Sequence, residues 1–114
     1  MKLLVAGGAG PADPGFVYRC LDRAHAKREV VLLVASGASG VDLLAHSWAA
    51  ERGVCRLPLR RTETPSDVLS MIGPDGLVAF PGAPAALVAA CRAAGLPVWE
   101  PAPAGAVPLI PASP

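Results

Sequence analysis

The sequence predicts an α/β fold: a single Rossmann-like doubly wound domain with about five mostly parallel strands and helices on both faces. Short apolar runs alternate with segments whose apolar residues recur at helical spacing, roughly once every 25 residues. The runs lack polar alternation, which is typical of parallel strands that are covered on both faces. At 114 residues, the chain has the length of one ordinary domain.

The first half of the chain predicts two strands, each followed by a helix. The strands are the aliphatic runs 3–6 and 30–35. Apolar residues at positions i, i+3, i+4 and i+7 predict helices over 17–24 and 41–48. Gly53 stands where the second of these helices is expected to end.

The second half predicts three further strands and two helices. Residues 54–59 form a weaker strand, in which Pro58 suits an edge position or a strand end. A short helix is expected at 66–72, with Ser66 and Asp67 as candidate caps. The remaining elements are a strand, a helix and a short strand: 77–80, 87–94 and 97–99.

We expect the folded domain to span residues 1–100, followed by a Pro/Ala-rich C-terminal tail at 101–114. The tail holds five prolines and no charged residue, a composition that favours extended polyproline backbone. Strands that all run the same way place their carboxyl ends at one edge of the sheet. Ligands of doubly wound sheets bind at that edge, near the switch in strand order.

Composition argues against several classes of protein. A hydrophobic fraction of 53% and a net charge of +1 argue against a disordered chain. No apolar run reaches the roughly 18–20 residues of a membrane span, and Gly7-Gly8 breaks the apolar start too early for a signal peptide. Cys20, Cys55 and Cys91 are far apart, so we expect buried, reduced thiols in a cytoplasmic protein, with no disulfide and no metal site.

Three loops of small residues follow predicted strands. Glycine in such loops lets a phosphate approach backbone amides at a helix N-terminus, although tight packing without a ligand also explains it. The candidate residues for ligand or phosphate binding are Gly7, Gly8, Ser36, Gly37, Ser39, Gly40, Asp42, Pro81, Gly82 and Ala83.

The loop after the second strand has the most specific pattern. Asp42 falls in the first turn of the following helix, where it either caps amides or accepts a ribose hydroxyl. His46 lies four residues on, on the same helix face, which raises an acid–base interpretation. We favour the simpler interpretation that His46 belongs to the helix surface or the core.

Residues 36–49 read Ser-Gly-Ala-Ser-Gly-Val-Asp-Leu-Leu-Ala-His-Ser-Trp-Ala and resemble the signature of the SLOG superfamily. That group includes the Rossmann-like domain of DNA-processing protein A and the lonely-guy phosphoribohydrolases. The small YspA-like branch is the most similar, because Gly7-Gly8 and the Ala-Phe-Pro-Gly of 79–82 also match its pattern. The resemblance covers residues 3–100 and implies a nucleotide-related ligand and a homodimer.

Two departures from the family pattern bear on function. Lonely-guy hydrolases carry Pro-Gly-Gly-x-Gly-Thr-x-x-Glu, whereas 81–89 reads Pro-Gly-Ala-Pro-Ala-Ala-Leu-Val-Ala and lacks the catalytic Glu. YspA-like members also tend to carry Gly-Pro-x-Arg-Asn between the third and fourth strands. Here Arg60 and Arg61 occupy that region, either as anion contacts or as solvated surface charges.

We therefore expect a protein that binds a nucleotide or another phosphorylated small molecule for sensing rather than turnover, with no required cofactor. The alternative is a divergent nucleoside-monophosphate phosphoribohydrolase that uses Asp42, Glu63 or Asp67 as its acid. A third possibility is a DNA-associated module. The sparse basic charge and five aromatic residues argue against nucleic acid as a partner.

Overall fold

The structure is a computed structural model that describes residues 1–8, 13–35, 40–59 and 64–101. Within these ranges, strands and helices alternate strictly, as the sequence predicts. The elements are β1 (Lys2–Ala6), α1 (Pro14–Lys27), β2 (Leu32–Ala35), α2 (Gly40–Arg52), β3 (Cys55–Pro58), α3 (Pro65–Ile72), β4 (Gly76–Ala79), α4 (Ala85–Ala93) and β5 (Val98–Trp99). None of the described helices is long and apolar enough to cross a membrane.

The five strands form one parallel sheet in the order β3-β2-β1-β4-β5. The chain starts in the middle of the sheet, adds β2 and β3 on one side, and returns through α3 to place β4 and β5 on the other. The strand order therefore reverses between β1 and β4. This confirms the predicted α/β Rossmann-like domain and locates its switch point.

Apolar side chains fill both faces of the sheet, because successive strand residues point to opposite sides. Leu3 and Val5 of β1 pack in one cluster with Leu21 of α1 and Trp48 of α2. On the other face, Leu4 belongs to a second cluster, which includes side chains of α3 and α4. The sheet is thus the middle of three layers.

Helix α3 corrects one predicted cap. The N-cap is Thr64, and its Oγ1 accepts the Asp67 amide at 3.1 Å, while the Thr64 amide donates to Asp67 Oδ2 at 3.4 Å. Pro65 occupies the first helical turn, where its missing N–H costs nothing. Ser66 therefore lies inside the helix, and the prediction that it caps α3 is wrong.

Strand β3 is an edge strand, as Pro58 predicts, and all four of its residues are exposed. Cys55 is consequently exposed, which corrects the expectation of three buried thiols, whereas Cys20 and Cys91 are buried. Of the predicted tail, Pro101 is buried, and residues 102–114 lie outside the described residues.

Candidate functional site

The loops that follow β1 and β4 meet at the switch point of the sheet. The Phe80 amide donates to the Ala6 carbonyl at 2.8 Å, and the Gly8 amide donates to the Pro81 carbonyl at 3.1 Å. These two bonds continue the β1–β4 pairing past the ends of both strands. Residues from opposite halves of the chain are thereby fixed side by side at the carboxyl edge.

Glycine is required at this junction on one side. Gly82 has φ of +89°, a conformation that side chains rarely adopt. A Cβ atom built on Gly82 would lie 2.8 Å from Cα of Gly8 and 3.0 Å from its nitrogen. The two loops therefore approach each other with backbone against backbone.

The start of α2 packs against the same place. A Cβ atom on Gly7 would lie 2.6 Å from Cβ of Val41, so only glycine admits the helix this close to the end of β1. Gly40, the first residue of α2, has φ of +60°. Asp42 lies in the first turn of α2 and is partly buried. The structure thus brings together Gly7, Gly8, Gly82 and the beginning of α2.

His46 is a core residue that contacts the carboxyl end of β2. It is 5% exposed, and its Nε2 lies 2.9 Å from the Ala35 carbonyl, which also accepts the Leu59 amide at 2.8 Å. The ring ties α2 to the carboxyl end of β2. The interpretation of His46 as a packed residue is confirmed.

A cleft of about 790 Å³ opens beside Gly82, on the α4 side of the sheet. Ala85 and Ala89 of α4 keep it wide because their side chains are short. Arg92 and Glu100 line it as an ion pair, with Nη2 to Oε2 at 2.7 Å. Its other lining residues are Ala79, Phe80, Pro81, Gly82, Ala83, Val88 and Pro101.

The turn after β4 changes the set of available amides. We predicted that a phosphate would lie on the amides of Gly82 and Ala83, but the Ala83 amide donates to the Phe80 carbonyl at 3.0 Å. This bond closes the turn and occupies the Ala83 amide, and phosphate binding at Gly82 and Ala83 stays a prediction. The Gly82 amide donates to no described residue.

Several predicted residues lie outside the described residues: Ser36, Gly37, Ser39, Arg60, Arg61 and Glu63. Asp67, one of the alternative acids, is occupied by the cap of α3. Sequence reasoning did not identify Glu100 as a residue of the cleft, because only the folded position of β5 brings it opposite α4. Among the described residues, no three His, Cys, Asp or Glu side chains form a group able to hold a metal ion.

The model of the YspA, cpYpsA-related SLOG family (YAcAr) matches residues 1–60, more than half of the chain. The match spans β1 to β3 and the loops that follow β1 and β2. No curated protein and no solved structure matches the chain. On the strength of the family match, the chain belongs to the YspA, cpYpsA-related SLOG family.

Proposed function

We propose that this chain binds a nucleotide or nucleotide-derived ligand at the carboxyl ends of its strands, as a binding or sensing protein. The observation that carries the proposal is the backbone contact of Gly8 with Gly82 at the switch point. Doubly wound sheets bind ligands in the crevice at this position, and glycine lets a phosphate approach backbone there.

The neighbouring cleft has the size that a nucleotide needs. Its volume of about 790 Å³ is within the range of small-molecule sites, roughly 300–1,000 Å³. The ligand's base and sugar would enter this cleft beside α4. Its phosphate would lie toward the Gly82 amide and the N-terminus of α2, where the helix dipole favours an anion.

Binding without turnover is favoured by the residue at position 89. Alignment with the lonely-guy pattern places the catalytic Glu at Ala89, and Ala89 lines the cleft. The cleft therefore has an alanine where the hydrolases have their catalytic carboxylate. We propose that the site holds its ligand intact.

Thermal unfolding with a panel of mono- and dinucleotides tests the binding proposal. A ligand present at 100 times its dissociation constant adds about 2.7 kcal/mol to the free energy of unfolding. We expect at least one nucleotide to raise the melting temperature. If none does so near millimolar concentration, the proposal is wrong.

The variant Gly8→Ala places a methyl group 3.3 Å from the Pro81 carbonyl oxygen, inside the crevice. We expect it to weaken nucleotide binding. Gly53→Ala is the control, because nothing lies within 4 Å of its Cβ and Gly53 stands between α2 and β3, at the amino edge of the sheet. Equal loss of binding in both variants would remove the crevice from the proposal.

One observation favours the alternative function, a divergent phosphoribohydrolase. Glu100 brings a carboxylate into the cleft from β5's side, although Arg92 pairs with it. Chromatography of nucleoside monophosphates incubated with the protein separates the two functions. Release of free base that disappears in Glu100→Gln would establish the hydrolase and overturn the binding-only proposal.

A further inference from the structure

A second cleft, of about 490 Å³, lies between α1 and the strands β4 and β5. Many of its residues precede or begin strands, so it opens toward the amino edge of the sheet, away from Gly82. We call it the α1–β5 groove. It is lined by Met1, Leu3, Arg23, Ala24, Lys27, Arg28, Asp75, Gly76, Leu77, Val78, Pro97, Val98 and Trp99.

The groove presents an aromatic side chain to solvent. Trp99 is paired with Val78 in the sheet and is 37% exposed, whereas Trp48 is fully buried. Gly76 lines the same groove and contributes no side chain to it. A large indole exposed in an apolar cleft is a surface on which another planar group can stack.

Cations line the helical wall of the groove. Arg23 and Lys27 are four residues apart on α1, so they project from one face of the helix. Neither pairs with an acidic side chain among the described residues. Arg28 forms an ion pair with Asp75, at 3.9 Å. Asp75, just before β4, is the acidic residue among those that line the groove.

We propose that the α1–β5 groove binds a nucleotide unit, with its base against Trp99 and its phosphate on Arg23 and Lys27. Aromatic stacking combined with neighbouring cations is the chemistry by which proteins hold unpaired bases. Arginine can donate two parallel hydrogen bonds to the oxygens of one phosphate group, which favours phosphate as the anion in this groove. The base and phosphate come either from a free nucleotide or from single-stranded nucleic acid.

This proposal is independent of the strand-end site. The two clefts share no lining residue, and their helical walls, α4 and α1, pack on opposite faces of the sheet. A ligand in the α1–β5 groove contacts Trp99 and therefore alters its emission. Binding at Gly82 leaves that ring untouched, so failure of one proposal is distinguishable from failure of the other.

Tryptophan fluorescence tests the groove directly, because acrylamide reaches exposed Trp99 and not buried Trp48. The native protein is titrated with adenosine monophosphate in one arm and with an oligothymidylate in the other. We expect saturable quenching and protection from acrylamide in at least one arm. Quenching by the mononucleotide identifies a free nucleotide as the ligand, and quenching by the oligomer alone identifies single-stranded nucleic acid.

The double variant Arg23→Gln/Lys27→Gln is expected to raise the dissociation constant about tenfold or more, because charge-assisted bonds to phosphate are lost. Arg19→Gln/Arg56→Gln removes the same charge from exposed positions outside the groove, and we expect less than about a threefold change. Trp99→Leu should also weaken binding. Because this variant lacks the reporting indole, its binding is measured by the fluorescence anisotropy of a labelled probe.

Three results would overturn the proposal. The first is no quenching in either arm near millimolar concentration. The second is an equal loss in the groove variant and the charge control, which would indicate unspecific attraction. The third is protection of Trp99 by an acidic peptide and by neither nucleotide probe, which would make the groove a protein contact.

Discussion

At the scale of single residues, Gly82 combines a left-handed backbone with contact against Gly8. We expect Gly82→Ala to lower the free energy of unfolding by at least about 2 kcal/mol, through strain and displacement of the loop. Gly95→Ala separates the two causes. Gly95 has φ of +78° and nothing within 4 Å of a built Cβ, so its substitution should cost only about 1 kcal/mol. Urea unfolding of both variants measures the difference, and equal costs would mean that the contact with Gly8 adds nothing.

Asp22 makes stability depend on pH. The Arg52 guanidinium, together with the Trp48 indole N–H, holds the pKa of this carboxyl below its usual value. A lowered carboxyl pKa contributes stability that is present above the unfolded-state pKa and is lost as pH falls through the folded-state value. We expect the native protein to lose stability between about pH 5 and pH 3, and Asp22→Asn to lose less.

Urea midpoints at the two pH values measure this effect. Glu29→Gln is the control, because Glu29 is exposed and its side chain pairs with no described residue. It should keep the native dependence on pH. A native-like dependence in Asp22→Asn would exclude Asp22 as its source.

Sequence reasoning at this scale identified residue types better than their partners. The sequence analysis placed Gly7, Gly8 and Gly82 at the ligand-binding edge, because turns from a strand into a helix there need glycine. The bond from the Ala83 amide to Phe80 was not predictable, since a tight turn and an open phosphate loop use the same Pro-Gly letters. For His46, the helical spacing allowed both a catalytic and a packed role, and only burial decided between them.

At the scale of elements, the capping box of α3 carries a prediction. Thr64→Ala removes the acceptor of the Asp67 amide at the start of an eight-residue helix. We expect it to cost about 0.5–2 kcal/mol of stability. Ser66→Ala is the control and should stay within about 0.5 kcal/mol, because the Thr64 side chain serves as the cap. A larger effect at Ser66 than at Thr64 in thermal unfolding would contradict this assignment.

Apolar runs located the strands and apolar spacing located α1, α2 and α4, but neither signal fixed their exact ends. The predicted second strand began at Val30, whereas β2 begins at Leu32. The Val30 amide donates to His25 Nδ1 at 2.9 Å, and Val31 is 54% exposed. Hydrophobicity alone cannot distinguish a residue that precedes a strand from one that is hydrogen-bonded within it, because the difference depends on the acceptor of each backbone amide.

At the scale of the whole molecule, we expect two copies of the chain to associate. Leu57 on β3 and Met71 on α3 line one groove and are 40% and 75% exposed. Burial of such side chains favours association. Light scattering should give the mass of a dimer, and Met71→Glu should shift it toward the monomer. A native chain that is monomeric across concentrations would contradict the expectation, and an unchanged dimer in the variant would place the contact elsewhere.

The doubly wound parallel sheet followed from the sequence, because alternating strands and helices permit few arrangements with right-handed crossovers. That same rule placed the glycine loops at one edge. The order of the strands in the sheet was not predicted. The clefts did not follow, because each depends on pairs of elements far apart in the chain. Arg92 meets Glu100 only after β5 has joined the sheet, and Trp99 faces α1 for the same reason.

The central position of β1 has a consequence for synthesis. Asp75 Oδ2 accepts the Lys2 amide across 73 residues of chain, next to the first rung between β1 and β4, which pairs Leu3 with Gly76. A ribosome therefore releases β1 long before its second neighbour exists. Until β4 and α4 emerge, Leu4 and Ala6 lack the apolar cover that they have in the finished protein. We expect stable folding to wait for nearly the complete domain, so that nascent chains ending near residue 60 remain sensitive to protease.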